Sequence, residues 1–80
     1  MENNYEWIMK YLVGKLVMKS DLTEFFTIQN DGFAPKFTQP DENHFRYQLL
    51  DIVYEVEVEK TEKFANQYLI KDVNLLIDLA

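Results

Sequence analysis

Ser20 and His44 are the only serine and the only histidine in the sequence, so a hydrolytic triad would have to be built from this one pair. Ser20 stands beside Asp21, where a short hydroxyl ordinarily caps or turns the chain. His44 closes the polar run Asp41-Glu42-Asn43-His44. That run offers oxygen and imidazole donors, but its spacing fits neither a calcium loop nor a zinc site. A polar turn accounts for it, and no metal or cofactor is expected. No phosphate-binding or nucleophile-elbow glycine pattern occurs. Paired carboxylates do acid–base work where one of them sits in a water-poor cleft with a raised pKa. The acids here alternate along a strand-like stretch of a chain only 80 residues long, which leaves little room for such a cleft. The expectation is a protein that is not an enzyme.

The residues with the clearest spacing are Glu55, Glu57 and Glu59, which alternate with Tyr54, Val56 and Val58. On a strand they project from one face about 7 Å apart, because each residue advances the chain about 3.3 Å. Asp51 and Glu62 extend the row. Such a row reads as a surface for a protein with a basic patch, in the sharpest form an inhibitor that occupies a nucleic-acid-handling site. The more ordinary reading is a solvated face whose charges oppose edge-to-edge aggregation.

A second surface is suggested near the N-terminus. Trp7, Tyr11 and Met18, with Val17, fall beside the main apolar stripe of the first helix, and such residues are enriched at protein contacts. They are the alternative interface, for a structural or accessory subunit, and a homodimer is a fair expectation for so small a core. A third reading places Phe37, Arg46 and Tyr47 on a sheet that stacks single-stranded nucleic acid. Few cations support it, and alternation aligns Phe45 and Tyr47 with Leu49, toward a core. Nucleic acid is not expected as a partner.

Charge and composition agree. Eight bases against fourteen acids give a net charge of −6. Residues 41–62 hold seven acids against Arg46 and Lys60, a net of −5, whereas residues 1–20 are at +1. An acidic surface repels nucleic acid and anionic lipid and attracts basic partners. The absence of cysteine rules out disulfides and suits a cytoplasmic location. No apolar run approaches the roughly 18–20 residues of a membrane span, and the N-terminus lacks the pattern of a signal peptide. The character is of a type with small phage and mobile-element proteins and bacterial immunity proteins, an analogy that rests on no motif.

These residues need a scaffold, and periodicity supplies one: a single α+β domain over 1–80. Residues 4–19 read as a helix with Asn4 as N-cap and Tyr5, Ile8, Met9, Leu12, Val13 and Leu16 on one stripe. Residues 22–29 read as a strand, with a helical turn from Asp21 as the rival. Asn30-Asp31-Gly32 reads as a turn, and 33–38 as a return strand confined to an edge by Pro35. Residues 45–59 carry the strongest alternation. Its apolar set moves from odd to even numbers near Leu50-Asp51, which calls for a bulge or a break between two strands. Residues 64–80 fit a helix or a strand equally. The expected architecture is an N-terminal amphipathic helix packed on an antiparallel sheet of three or four strands.

Overall fold

The computed structural model describes residues 4–50, 52–63 and 66–78, the side chains at 4, 5, 77 and 78 excepted. Asp51, residues 64–65 and 79–80, and the Tyr5 side chain lie outside the description. The elements run α1 (Asn4–Leu12), β1 (Leu16–Met18), α2 (Lys19–Gln29), β2 (Lys36–Asp41), β3 (His44–Gln48), β4 (Ile52–Lys60) and β5 (Gln67–Asp78). The strands form one antiparallel sheet in the order β1-β5-β4-β3-β2. The fold is α+β, with five strands rather than three or four.

The helix expected over 4–19 stops at Leu12. Ile8 and Leu12, four residues apart, are buried in the core cluster, but Gly14 adopts a φ of +88° that breaks the helical path. No atom lies within 4 Å of a side chain built there, so the backbone conformation alone asks for glycine. The Gly14 N–H donates to the Ile70 carbonyl, and the Ile70 N–H donates to the Lys15 carbonyl. The chain thereby enters the sheet as β1, whose residues Leu16, Val17 and Met18 pair with Leu69, Tyr68 and Gln67.

The strand expected over 22–29 is a helix. Leu22 and Phe26 are both buried, at the four-residue spacing of one helical stripe. The Thr27 hydroxyl donates to the Thr23 carbonyl one turn earlier. Met18, extended at the N-cap, gives no side-chain cap. The other end is well marked: Asp31 turns to a φ of 56° and the Gly32 N–H donates back to the Thr27 carbonyl at 2.9 Å, closing the helix in the manner of a Schellman motif. Asn30-Asp31-Gly32 is thus a helix exit, not a hairpin turn. The Asn30 side chain, nearly buried, donates to the Phe33 carbonyl and accepts from the Leu50 N–H, tying this exit to the β3–β4 connection.

Beyond it, β2 forms a sheet edge with Pro40 near its end, where the register with β3 shifts between Thr38 and Asp41. An edge tolerates the missing N–H. The shift in alternation near residue 50 is a break between β3 and β4, closed by the Leu49 N–H donating to Ile52. The ambiguous C-terminal stretch is a strand over 67–78 whose register skips Lys71 and Leu76. Those two irregularities place Ile70, Val73 and Leu75 in or against the core at unequal spacing.

One side of the sheet carries Phe45, Tyr47, Leu49, Tyr54, Val56, Val58, Ile70 and Val73 into the core, where Ile8, Leu12, Leu22 and Phe26 of the helices join them. The Phe26 ring stacks on Tyr47 at 4.6 Å and leans on Tyr54 at 5.2 Å. The Tyr47 hydroxyl, held beside the Thr23 hydroxyl at 3.0 Å, finds its partner on α2. Among the described residues, no helix is long and apolar enough to cross a membrane.

Candidate functional site

Alternation on β4 puts Tyr54, Val56 and Val58 inside and Glu55, Glu57 and Glu59 on the opposite, outward side. The register then decides what stands next to each carboxylate. Because Leu49 bonds to Ile52, counting outward pairs Arg46 with Glu55 and His44 with Glu57. Arg46 Nε donates to Glu55 Oε2 at 2.8 Å, and the Glu55 side chain keeps only 18% of its exposure. His44 Nε2 lies 3.9 Å from Glu57 Oε1. On the other flank, the register skip in β5 leaves Lys71 with its Nζ 3.5 Å from Glu59 Oε2. Glu55, Glu57 and Glu59 therefore each have a base on a neighbouring strand. Glu62 is exposed after β4, outside these pairs, and Asp51 lies outside the described residues.

His44 is bracketed on both ring nitrogens. Its Nδ1 is 2.8 and 3.0 Å from the two oxygens of Asp41. The hydrogen bond to Asp41 raises the His44 pKa, outweighing the opposing effect of desolvation, with further help from the charges of Asp41, Glu55 and Glu57. The same bond, together with the Asn43 N–H, lowers the Asp41 pKa. The Asp41–His44 run is thus a self-satisfied hairpin turn. Among the described residues no group of three or more histidine or acidic side chains is placed to hold a metal ion. Ser20 is on α2, lining a groove of about 650 Å³ with Met18, Lys19, Thr23, Thr27 and Tyr68. Asp41, not Ser20, holds the imidazole.

The residues of the stacking reading are not brought together on a surface. Tyr47 is fully buried, and Phe37 packs against the core with the Lys19 ammonium 4.2 Å from its ring centre. Arg46 projects to the other side of the sheet, onto Glu55.

The alternative interface is split. Met18 belongs to β1 and faces the groove beside α2. Trp7 and Tyr11 instead meet Phe25 of α2, at ring-centre distances of 6.0 and 5.5 Å, and each other at 5.8 Å. Trp7 is 39% and Tyr11 50% exposed, and Ile28, one turn beyond Phe25, is 65% exposed. Phe25 and Ile28 were missed in the sequence because 22–29 reads as a strand. With that stretch helical, Asp21, Phe25 and Ile28 fall on one stripe, with Glu24 beside it. Lys15 Nζ lies 4.3 Å above the Tyr11 ring. Lys10, Lys15, Asp21 and Glu24 make no ion pair with another described residue.

Comparison with protein-family models, with curated proteins and with solved structures gives no match to this chain.

Proposed function

We propose that the protein is a non-enzymatic binding module that assembles with another protein through the aromatic surface shared by its two helices. The observation that carries this reading is the ring cluster of Trp7, Tyr11 and Phe25, which stays half open to solvent beside the exposed Ile28. Rigid aromatic side chains with a polar edge supply much contact area at small entropic cost, and they dominate the energetics of protein contacts. Replacing Trp7 and Tyr11 together by serine tests it. The complex recovered from cells with the native chain should be lost, including after a wash in high salt, while the far-ultraviolet circular dichroism stays native. Recovery of the same complex with both rings removed would end this reading.

The acidic row supports a second reading, an inhibitor that presents Glu55, Glu57, Glu59 and Glu62 to a basic partner. Its support is the outward projection of the row from a strand whose other side is core. Its cost is that Arg46, His44 and Lys71 already answer three of those carboxylates. Charge reversal of Glu55, Glu57 and Glu59 should abolish a salt-sensitive complex if this surface is used. Unchanged binding by that triple variant would dismiss it.

A further inference from the structure

Of the three bases that answer the acidic row, one can lose its charge near neutrality. Arg46 and Lys71 keep theirs until the solution is strongly alkaline, whereas an imidazole changes its charge between about pH 5 and 8. His44 answers Glu57, the middle residue of the row, across the β3–β4 register. Its two nitrogens are not alike. Nδ1 has the oxygens of Asp41 at 2.8 and 3.0 Å, whereas Nε2 has Glu57 at 3.9 Å, within ion-pair reach but too far for a hydrogen bond. A neutral ring retains one proton, and it stays on the nitrogen whose acceptor is in contact. That acceptor is held in place, because Asp41 also accepts from the Asn43 N–H at 2.8 Å.

We infer that His44 is a proton-operated regulator of the acidic row, with Asp41 as the positioning residue that makes Nε2, the nitrogen facing Glu57, the place where the proton is gained and lost. The inference rests on the reading of the row as a contact for a basic protein, and it adds the condition under which that contact is strongest. Two carboxylates and an imidazolium leave Asp41, Glu57 and His44 with one negative charge between them. Release of the Nε2 proton to water leaves two, and Glu57 then has no counter-charge on His44. The surroundings of the ring are mostly acidic. Asp41 faces it from β2, Glu55 and Glu57 from β4, and Asp72 stands beyond Glu57 on β5. Glu42 is exposed in the turn between Asp41 and His44. Arg46, two residues along β3 on the same side, is engaged by Glu55, and Lys71 of β5 by Glu59. The Asp41 hydrogen bond, the largest of these influences, raises the His44 pKa above 6.5. The row is therefore compensated in mild acid and released as pH rises through that raised value.

The test titrates the full-length chain at low salt with an acetylated hexalysine amide, a basic probe that keeps its charge at both about pH 6 and about pH 8.5. The native chain should bind it about two- to fivefold more tightly at the higher pH, the span that one exposed ion pair provides. His44→Gln should show no such rise. The α-amino group also titrates in this range, but it is present in both chains and cancels in the comparison. Nitrogen-15 resonances of the native ring, which need no variant, should show Nδ1 keeping its proton and Nε2 losing it. Equal pH profiles for the native chain and His44→Gln, or a proton lost from Nδ1, overturn the inference. Glu55→Lys with Glu57→Lys and Glu59→Lys, set against a control of the same net charge, Glu6→Lys with Asp21→Lys and Glu24→Lys, separates that failure from failure of the underlying reading. Circular dichroism confirms that each variant is folded. If the row variant alone loses the probe while the pH profiles are equal, the row is a contact that His44 does not regulate. If both triple variants lose the probe alike, or both keep it, the row is not the contact and the regulator falls with it.

Discussion

On the open side of the sheet Glu55, Glu57 and Glu59 each have a base on the adjoining strand, while on the helix side Lys10, Lys15, Asp21 and Glu24 make no ion pair with another described residue. The two regions also differ in what separates their charges. On the sheet, opposite signs alternate from strand to strand, so the field of each pair falls off over a short distance. On the helices, charges of both signs stand beside three aromatic rings that are partly open to solvent, and these charges make no ion pair among the described residues. A charged stretch in a sequence is therefore a poor guide to a binding surface until its register is known. The row of Glu55, Glu57 and Glu59 is answered from within, and the quieter helix surface carries charges with no ion-pair partner among the described residues.

The helices hold the inner face of the sheet, and Phe26 is where that hold is most easily broken. Its ring is fully buried between layers, against Tyr47 and Tyr54. Phe26→Ala should cost about 3–5 kcal/mol in urea unfolding, a large part of the stability of a domain this size. A loss below about 1 kcal/mol would mean that α2 is only loosely laid on the sheet. Gly14 comes next, where the helix side passes into the sheet edge. At a φ of +88° alanine is strained although space is free, so Gly14→Ala should destabilise by about 1–2 kcal/mol. If it is neutral or stabilising, the helix of α1 continues past Leu12 and β1 is not as described.

Much of this was legible beforehand, and the failures have physical causes. Residues 45–59 were readable because β3 and β4 alternate cleanly, and the odd-to-even shift marks the break between them. The outward row followed from the same alternation. Its partners did not, although they were within reach: a break closed by Leu49 and Ile52 fixes Arg46 opposite Glu55 by counting. Residues 22–29 misled because Leu22, Phe26 and Ile28 satisfy a period of two while Leu22 and Phe26 also satisfy a period of four, and Met18 gives no cap to decide between them. In β5 the skips at Lys71 and Leu76 erase alternation, leaving a polar stripe that imitates a helix. The Trp7–Tyr11–Phe25 cluster depends on packing between distant elements and follows from no local pattern.

The internal balance of the sheet face can be graded. Arg46–Glu55 has the shortest contact, and its carboxylate is the least exposed of the three. A double-mutant cycle with alanine at both positions should give a coupling of about 0.5–1 kcal/mol, and the more exposed Lys71–Glu59 pair less. If Lys71–Glu59 couples as strongly as Arg46–Glu55, burial is not what ranks these pairs. If neither couples, the acids are free after all and the inhibitor reading regains ground.

The smallest effect, and the most selective, is that of pH. The fold holds His44 in its protonated form, chiefly through the bond to Asp41, so its pKa lies above the 6.5 usual for histidine. That contribution is complete below 6.5 and is lost as pH rises through the raised value. Asp41 works in the opposite sense. Its pKa lies below the ordinary 3.8, so its contribution is present above 3.8 and is lost as pH falls through the lowered value. Both are in place between 3.8 and 6.5, and the β2–β3 hairpin should be held most firmly there. Proton resonances of the His44 ring should titrate with a midpoint above 6.5, and Asp41→Asn should move that midpoint back down. A native midpoint at or below 6.5 would show that the bracket is not formed. His44 is the sole histidine and projects on the side of the sheet opposite the core. Binding through the rings of Trp7, Tyr11 and Phe25 should therefore not follow the titration of His44, while binding through the acidic row should strengthen as His44 loses its proton and frees Glu57. The pH profile of a complex thus identifies which of the two surfaces it uses.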